Sequence, residues 1–299
     1  MFGWGATTFS SAPGADLTTM MARRRLAWMI GLVLTSSCAR SPRAPDLEIV
    51  FFDVGHGDAV LVREGSEALE IDAGWPNTGV VAKLKQLGVD SLRAFIASHN
   101  HPDHIGSAAA VFDSVAVGEY IDNGFRLDTP TERAVLDAAE RHHIRATSLT
   151  APRTWTLGDA VVEVAPPPVT PDTAQNNRSL VIRIVRGRFR ALLTGDSQRA
   201  ETDALSALHV DGPVALLKAP HHGDPDAMSR AWLARLRPAV IVASTDHQLR
   251  QVDLESVYWS LGVCLVRTSD LGDVTVTVGA DGRPVVRGSK WRVPRRCPG

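Results

Sequence analysis

The chain has 299 residues, 44% hydrophobic and 22% charged, with 24 Gly and 18 Pro. That composition is globular and excludes a disordered chain, a collagen-like repeat and a coiled coil; the length allows one large domain or two small ones. Lys plus Arg (32) nearly balances Asp plus Glu (33), a formal net charge of −1, so any anionic partner must be held by a local patch or by metal rather than by bulk charge.

At the N-terminus, Arg23, Arg24 and Arg25 precede the apolar run Leu26 to Leu34, then Thr35, Ser36, Ser37 and Cys38. That order reads as a secretory signal over residues 1–37, with Met20 and Met21 as alternative starts to Met1. The run is about half the roughly 20 residues a spanning helix needs. Leu34 to Cys38 resembles the lipobox of bacterial lipoproteins, with the usual Leu one position too far from Cys38. The expected product is exported, either anchored in a membrane through a lipid on Cys38 or secreted into a periplasmic or external space. Cys264 and Cys297 remain, either bridged in an oxidising compartment or as two free thiols.

After a short linker (38–46), strands are expected over Leu47 to Val54, Ala59 to Arg63 and Ala68 to Ile71, the first two joined by Gly55-His56-Gly57-Asp58. A helix from Gly79 to Leu87, a strand from Arg93 to Ala97, a helix after Ile105 and a strand near Val117 to Ile121 follow. Thr129-Pro130 supplies an N-cap and a Pro at the first helical position for a helix to His143. In the second half, strands are expected over Val161 to Val164, Leu180 to Val185, Arg190 to Leu193, Val214 to Leu217, Ala239 to Ala243, Val263 to Arg267 and Val274 to Val278. Helices are expected over Ala200 to Leu208, Ala227 to Leu236 and Leu254 to Leu261. The Pro-rich stretch Ala165 to Asn177 is a long loop of the kind that is usually functional. The pattern implies an α/β (α+β) fold of two sheets with helices on their outer faces.

His99, His101, Asp103 and His104 fall within six residues, directly after an apolar strand and before a helix. Imidazole and carboxylate at that density suit zinc or a similar divalent ion. Asp196 ends the strand in Leu-Leu-Thr-Gly-Asp, and His221 with His222 ends the next. Adjacent His residues point in different directions, so one of the pair is expected at the metal and the other at substrate or solvent. His142 and His143 read as a solvated helix end.

Asp72 in Ile-Asp-Ala-Gly, His99-Asn-His101-Pro-Asp103-His104, Asp196 in Leu-Thr-Gly-Asp and His221-His222-Gly223 resemble the ordered motifs of the metallo-β-lactamase-fold hydrolases. Asp53-Val-Gly-His-Gly-Asp58-Ala, Asn176-Asn177-Arg-Ser179, Lys218-Ala-Pro-His221 and Arg267-Thr-Ser-Asp-Leu-Gly272 resemble the soluble hydrolase domain of the competence protein ComEC. The resemblance implies a four-layer αββα sandwich over 47–282 and two divalent metal ions, zinc or manganese. It places His99 and His101 on one ion, Asp103 and His104 on the other, Asp196 binding or bridging the second, and His221 completing the set. Asp103 and His222 carry over as catalytic groups, and Asp72, Asp53, Asp58 and Asn177 as residues that orient the ligands. Metal-activated hydroxide is then the nucleophile, with no need for Ser or Cys. The chain departs from the pattern in having no His between Ser179 and Asp196, His56 where Gln is usual, and Asp224 where Ser is usual.

The subgroup implies phosphodiester hydrolysis with DNA as the leading nucleic-acid substrate. Arg283, Arg287, Lys290, Arg292, Arg295 and Arg296, with Trp291 and no acidic residue, form a basic C-terminal tail (283–299). Such a tail suits a phosphate backbone or an anionic membrane surface. The alternatives are hydrolysis of an ester, lactone or β-lactam, and a non-catalytic binding protein; no protein partner can be inferred.

Overall fold

The computed structural model describes residues 46–208, 212–228, 230–246, 262–294 and 297–298. The signal segment, Cys38, the expected helix over Leu254 to Leu261, and Arg295 and Arg296 lie outside them. No helix among the described residues is long and apolar enough to cross a membrane.

β1 (Leu47–Phe51), β2 (Ala59–Glu64) and β3 (Glu67–Ala73) pair as an antiparallel meander. Strict alternation along β1 sends Leu47, Ile49 and Phe51 to the interior between the sheets and Val50 to the outer face. β3 then pairs in parallel with β5 (Ala94–Ile96), which pairs in parallel with β7 (Glu119–Asp122). β4 (Ser91–Leu92) and β6 (Ala116–Val117) form a separate two-residue ladder. Parallel pairing requires crossovers, supplied here by α1 (Val80–Gln86) and by the short helices α2 (Pro102–Ile105) and α3 (Ala108–Phe112). α4 (Pro130–Arg141) starts at Thr129, whose side-chain oxygen accepts from the Glu132 backbone N–H, the N-cap that the sequence announces.

The second sheet repeats this plan, antiparallel strands first and parallel ones after. β9 (Arg153–Leu157), β10 (Ala160–Ala165), β11 (Val181–Arg186) and β12 (Phe189–Leu193) are antiparallel. β13 (Leu216–Lys218), β14 (Val240–Ala243) and β15 (Cys264–Arg267) continue from β12 in parallel. One apolar cluster fills the space between the sheets. A second lies between the first sheet and α1 to α4, and a third between the second sheet and the helices α5 (Arg199–Ala207) and α6 (Arg230–Leu236). The architecture is a four-layer αββα sandwich.

Two short edge strands were not anticipated, β8 (Arg145–Ser148) and β9. β8 is exposed almost throughout and β9 buries only Trp155 and Leu157, so their apolar signal is thin. The boundary expected at 282 is not a boundary of the sheet: β17 (Pro284–Gly288) pairs with β16 (Val274–Val278), itself paired with β1. The basic segment therefore begins as an edge strand, and its end is stapled by a Cys264–Cys297 disulfide. That bridge closes a loop with a sequence separation of 33 residues, worth about 3–4 kcal/mol by loop-closure entropy. Reduction, or Cys264→Ser with Cys297→Ser, is expected to lower the thermal midpoint by roughly 10 °C. An unchanged midpoint in a calorimetric scan would show that the staple carries no stability.

Candidate metal centre

Parallel pairing places strand carboxyl ends side by side, the position where open α/β sheets bind ligands. In the first sheet Asp72 is the penultimate residue of β3 and β5 leads into Ser98 to His104. In the second, β12 leads to Asp196 and β13 to His221 and His222. The two edges meet: Leu180 N–H donates to Ser98 O at 2.8 Å. Gly195 adopts φ 51°, and a Cβ there would lie 2.7 Å from Ser98 Oγ, so only glycine lets the Asp196 turn approach the His99 strand.

Asp103, His104, Asp196 and His222 each offer a ligand atom to one group, all within 4.8 Å of one another. Asp196 Oδ2 lies 3.2 Å from both His104 Nε2 and His222 Nε2, and Asp103 Oδ2 lies 3.4 Å from His222 Nε2. The other imidazole nitrogens are already committed. His104 Nδ1 is 2.9 Å from Asp72 Oδ2, and His222 Nδ1 is 2.9 Å from Ser244 O. Asp72 is itself held by the Ser98 N–H and Oγ, both at 2.7 Å. Each ring is thereby fixed with Nε2 toward the group, the outer-partner arrangement of metal-binding histidines.

His104 Nε2, His222 Nε2 and Asp196 Oδ1 are buried and without a hydrogen-bond partner. Buried polar atoms are normally satisfied, and two imidazole nitrogens and a carboxylate converging on one point suit a divalent ion. The residues present therefore fit the metal that the sequence implies.

His99 Nε2 and His101 Nδ1 lie 3.0 Å apart beside this group, His99 fully buried and His101 half-buried. His221, expected to complete the ligand set, is turned elsewhere. It has φ 46° and φ 55° follows at His222, and this left-handed pair sends His222, not His221, into the group. His221 Nε2 is 3.2 Å from Asn176 Nδ2, and its Nδ1 is 3.5 Å from Asp224 Oδ2. Asn177 does not orient ligands. Its Oδ1 accepts from the Gln198 and Glu201 N–H groups and so caps α5. Asp53 pairs with Lys290 at 2.6 Å at the head of the loop that carries His56 and Asp58. His142 is exposed and pairs with Asp113 at 2.7 Å.

The residue whose role sequence reasoning missed is Lys218. Its side chain is fully buried, its ammonium pairs with Asp58, donates to Gly195 O at 2.9 Å and lies 3.5 Å from Asp196 Oδ1. The signal was a lysine closing an apolar strand, which burial tolerates only with carboxylate partners.

Electrostatics follow from this packing. Burial disfavours charge on His104 and His222, but carboxylates outweigh it. Asp196 and Asp72 hold His104 well above the usual imidazole range, and Asp196 with Asp103 pushes His222 up to about 9. Burial and the neighbouring His104 hold His99 well below that range. In the metal-free chain at pH 7, His104 and His222 are therefore protonated and must release protons to bind an ion. Uptake is expected to be weakest in acid and to strengthen as pH rises toward about 9. Calorimetric titration with zinc at pH 7, in two buffers of different ionisation enthalpy, is expected to show proton release; none would mean both rings are neutral.

The family model described as the metallo-beta-lactamase superfamily matches residues 52–245. Recombination protein 2 of Haemophilus influenzae is 28% identical over 67% of this chain and 24% of its own length. Competence protein ComA of Neisseria gonorrhoeae is 26% identical over 74% of this chain and 30% of its own length. The chain thus spans less than a third of these curated relatives. The crystal structure of the metallo-beta-lactamase fold protein YhfI from Bacillus subtilis superposes with a TM-score of 0.53 at 17% identity, covering 78% of this chain and 99% of that one.

Proposed function

The chain belongs to the metallo-β-lactamase superfamily of metal-dependent hydrolases, and within it we propose an exported phosphodiesterase with DNA as its leading substrate. The observation that carries the hydrolytic reading is the convergence of His104 Nε2, His222 Nε2 and the carboxylates of Asp103 and Asp196 on one point. Asp103, His104, Asp196 and His222 would hold one divalent ion, and His99 and His101 would contribute to a second. When bound, zinc or manganese supplies Lewis acidity and a nucleophile from water near neutral pH. Asp72 and Ser244 keep the imidazoles aimed, and Lys218 offsets the charge of Asp58 and Asp196.

Three features support a phosphodiester over an ester, lactone or β-lactam. The pocket that includes His221, next to His222 in sequence though with none of the four grouped residues in its wall, carries the polar side chains Asp172, Asn177, Gln198, Arg199 and Asp224. The apolar pocket lies elsewhere, walled by residues such as Pro166, Pro168, Leu192 and Leu205 and by none of the metal-centre residues. The segment carrying exposed Arg287, Trp291 and Arg292 is tied through Lys290 to Asp53, at the head of the site loop. The names of the relatives, a recombination protein and a competence protein, agree with a nucleic-acid substrate. The disulfide supports an oxidising, exported location; intact mass of the mature chain would distinguish a lipidated Cys38 from plain secretion.

The test is incubation of the purified chain with manganese or zinc and, separately, single-stranded DNA, bis-p-nitrophenyl phosphate and nitrocefin. Phosphodiester turnover is expected. Cleavage of nitrocefin with no phosphodiester turnover would overturn the reading.

A further inference from the structure

The loop from Asp53 to Asp58 is pressed against the turn that carries the metal-centre histidines. Asp58 N–H donates to Asp103 O at 3.1 Å. Gly55 and Gly57 adopt φ 80° and 152°, and a Cβ on Gly57 would lie 2.5 Å from the same carbonyl oxygen. Glycine at 57 is thus required for this approach. Between the two glycines, His56 is set with its ring centroid 4.1 Å from that of His222, tilted by 51°.

His56 is not a member of the four-ligand group. Its Nδ1 is nevertheless buried, with no hydrogen-bond partner among the described residues. A loop clamped at both ends, holding an unsatisfied imidazole against a metal-centre histidine, spends conformational freedom on a polar group that folding does not use. An N–H held beside a metal centre, and outside its ligand set, is placed for an oxygen of whatever anion the centre binds.

We propose that His56 is a substrate-contacting residue, donating a ring N–H to a non-bridging oxygen of the phosphate bound at the metal centre. The assignment rests on the phosphodiester reading above and names the group that recognises the phosphate. No bond is made or broken by His56: it binds and orients the phosphate while hydrolysis proceeds at the metal centre. His56→Gln keeps an N–H donor on a shorter side chain, whereas His56→Leu keeps bulk and loses the donor.

The experiment uses the metal-loaded full chain and these two variants, with inorganic phosphate as the calorimetric probe and bis-p-nitrophenyl phosphate as the kinetic one. His56→Leu is expected to weaken phosphate binding at least about tenfold and to lower kcat/KM by about 10²-fold, the scale of one lost oxyanion donor. His56→Gln should recover most of both, and metal content by elemental analysis should match the unsubstituted chain in both variants. Phosphate binding by His56→Leu within about twofold of the unsubstituted chain would overturn the proposal. So would loss of metal from that variant, which would make His56 a support of the centre instead. No phosphate binding by the unsubstituted chain would also overturn it. Phosphate binding that depends on His56, in a chain that turns over no phosphodiester, would leave the contact standing and sink the proposed function alone.

Discussion

Replacing His222 by alanine is expected to cost more metal affinity and more turnover than replacing His221. His222 Nε2 faces Asp103 and Asp196 at 3.4 and 3.2 Å, whereas His221 pairs with Asn176 and Asp224. Removing an outer partner of a metal site typically costs roughly 10–100-fold in affinity or activity. His221→Ala removes no partner of the four grouped residues and should cost no more than that, whereas His222→Ala should exceed it and empty the site on dialysis. The two variants are adjacent and alike in chemistry, so the comparison isolates direction alone. Elemental analysis paired with kcat/KM decides it, and equal losses, or the larger loss in His221→Ala, would mean that the left-handed turn is wrongly read.

The second large effect is on stability. Lys218→Met keeps the length of the side chain and removes the buried ammonium that pairs with Asp58 and lies 3.5 Å from Asp196 Oδ1. Breaking a buried pair from one side leaves uncompensated charge, which costs about 3–5 kcal/mol. Denaturant unfolding with chelator present is expected to show that loss. Added zinc or manganese should return part of it, because the ion neutralises Asp196 and stabilises the folded state by mass action. A loss below about 1 kcal/mol would mean that the two carboxylates do not depend on Lys218 for their charge.

Much of the fold was legible because its strands are buried on one or both faces and their patterns are clean. The run from Leu47 and the Thr129-Pro130 helix start are local signals that the structure keeps. The polar edges were not legible: Arg145–Ser148 has little apolar content, and Pro284–Gly288 reads as a tail because its charge hides its alternation. At the site, the strand-end positions of His99 to His104 and Asp196 carried the reading. Which of two adjacent histidines turns inward depends on positive φ at both, and nothing in Pro-His-His-Gly declares that. Asn177 was expected to orient the ligands, yet its side-chain oxygen is spent on capping α5. Lys218 stands in a recognised motif but was given no role, because its partners, Asp58 and Asp196, are distant in sequence and meet only when the two sheets pack.

The most direct measurement is the metal content of the chain purified without chelators, by elemental analysis before and after dialysis. The expected result is at least one zinc or manganese ion per chain, lost together with Asp196→Ala or His222→Ala. A folded chain that contains no transition metal, and takes none up from solution, would contradict the account at its root.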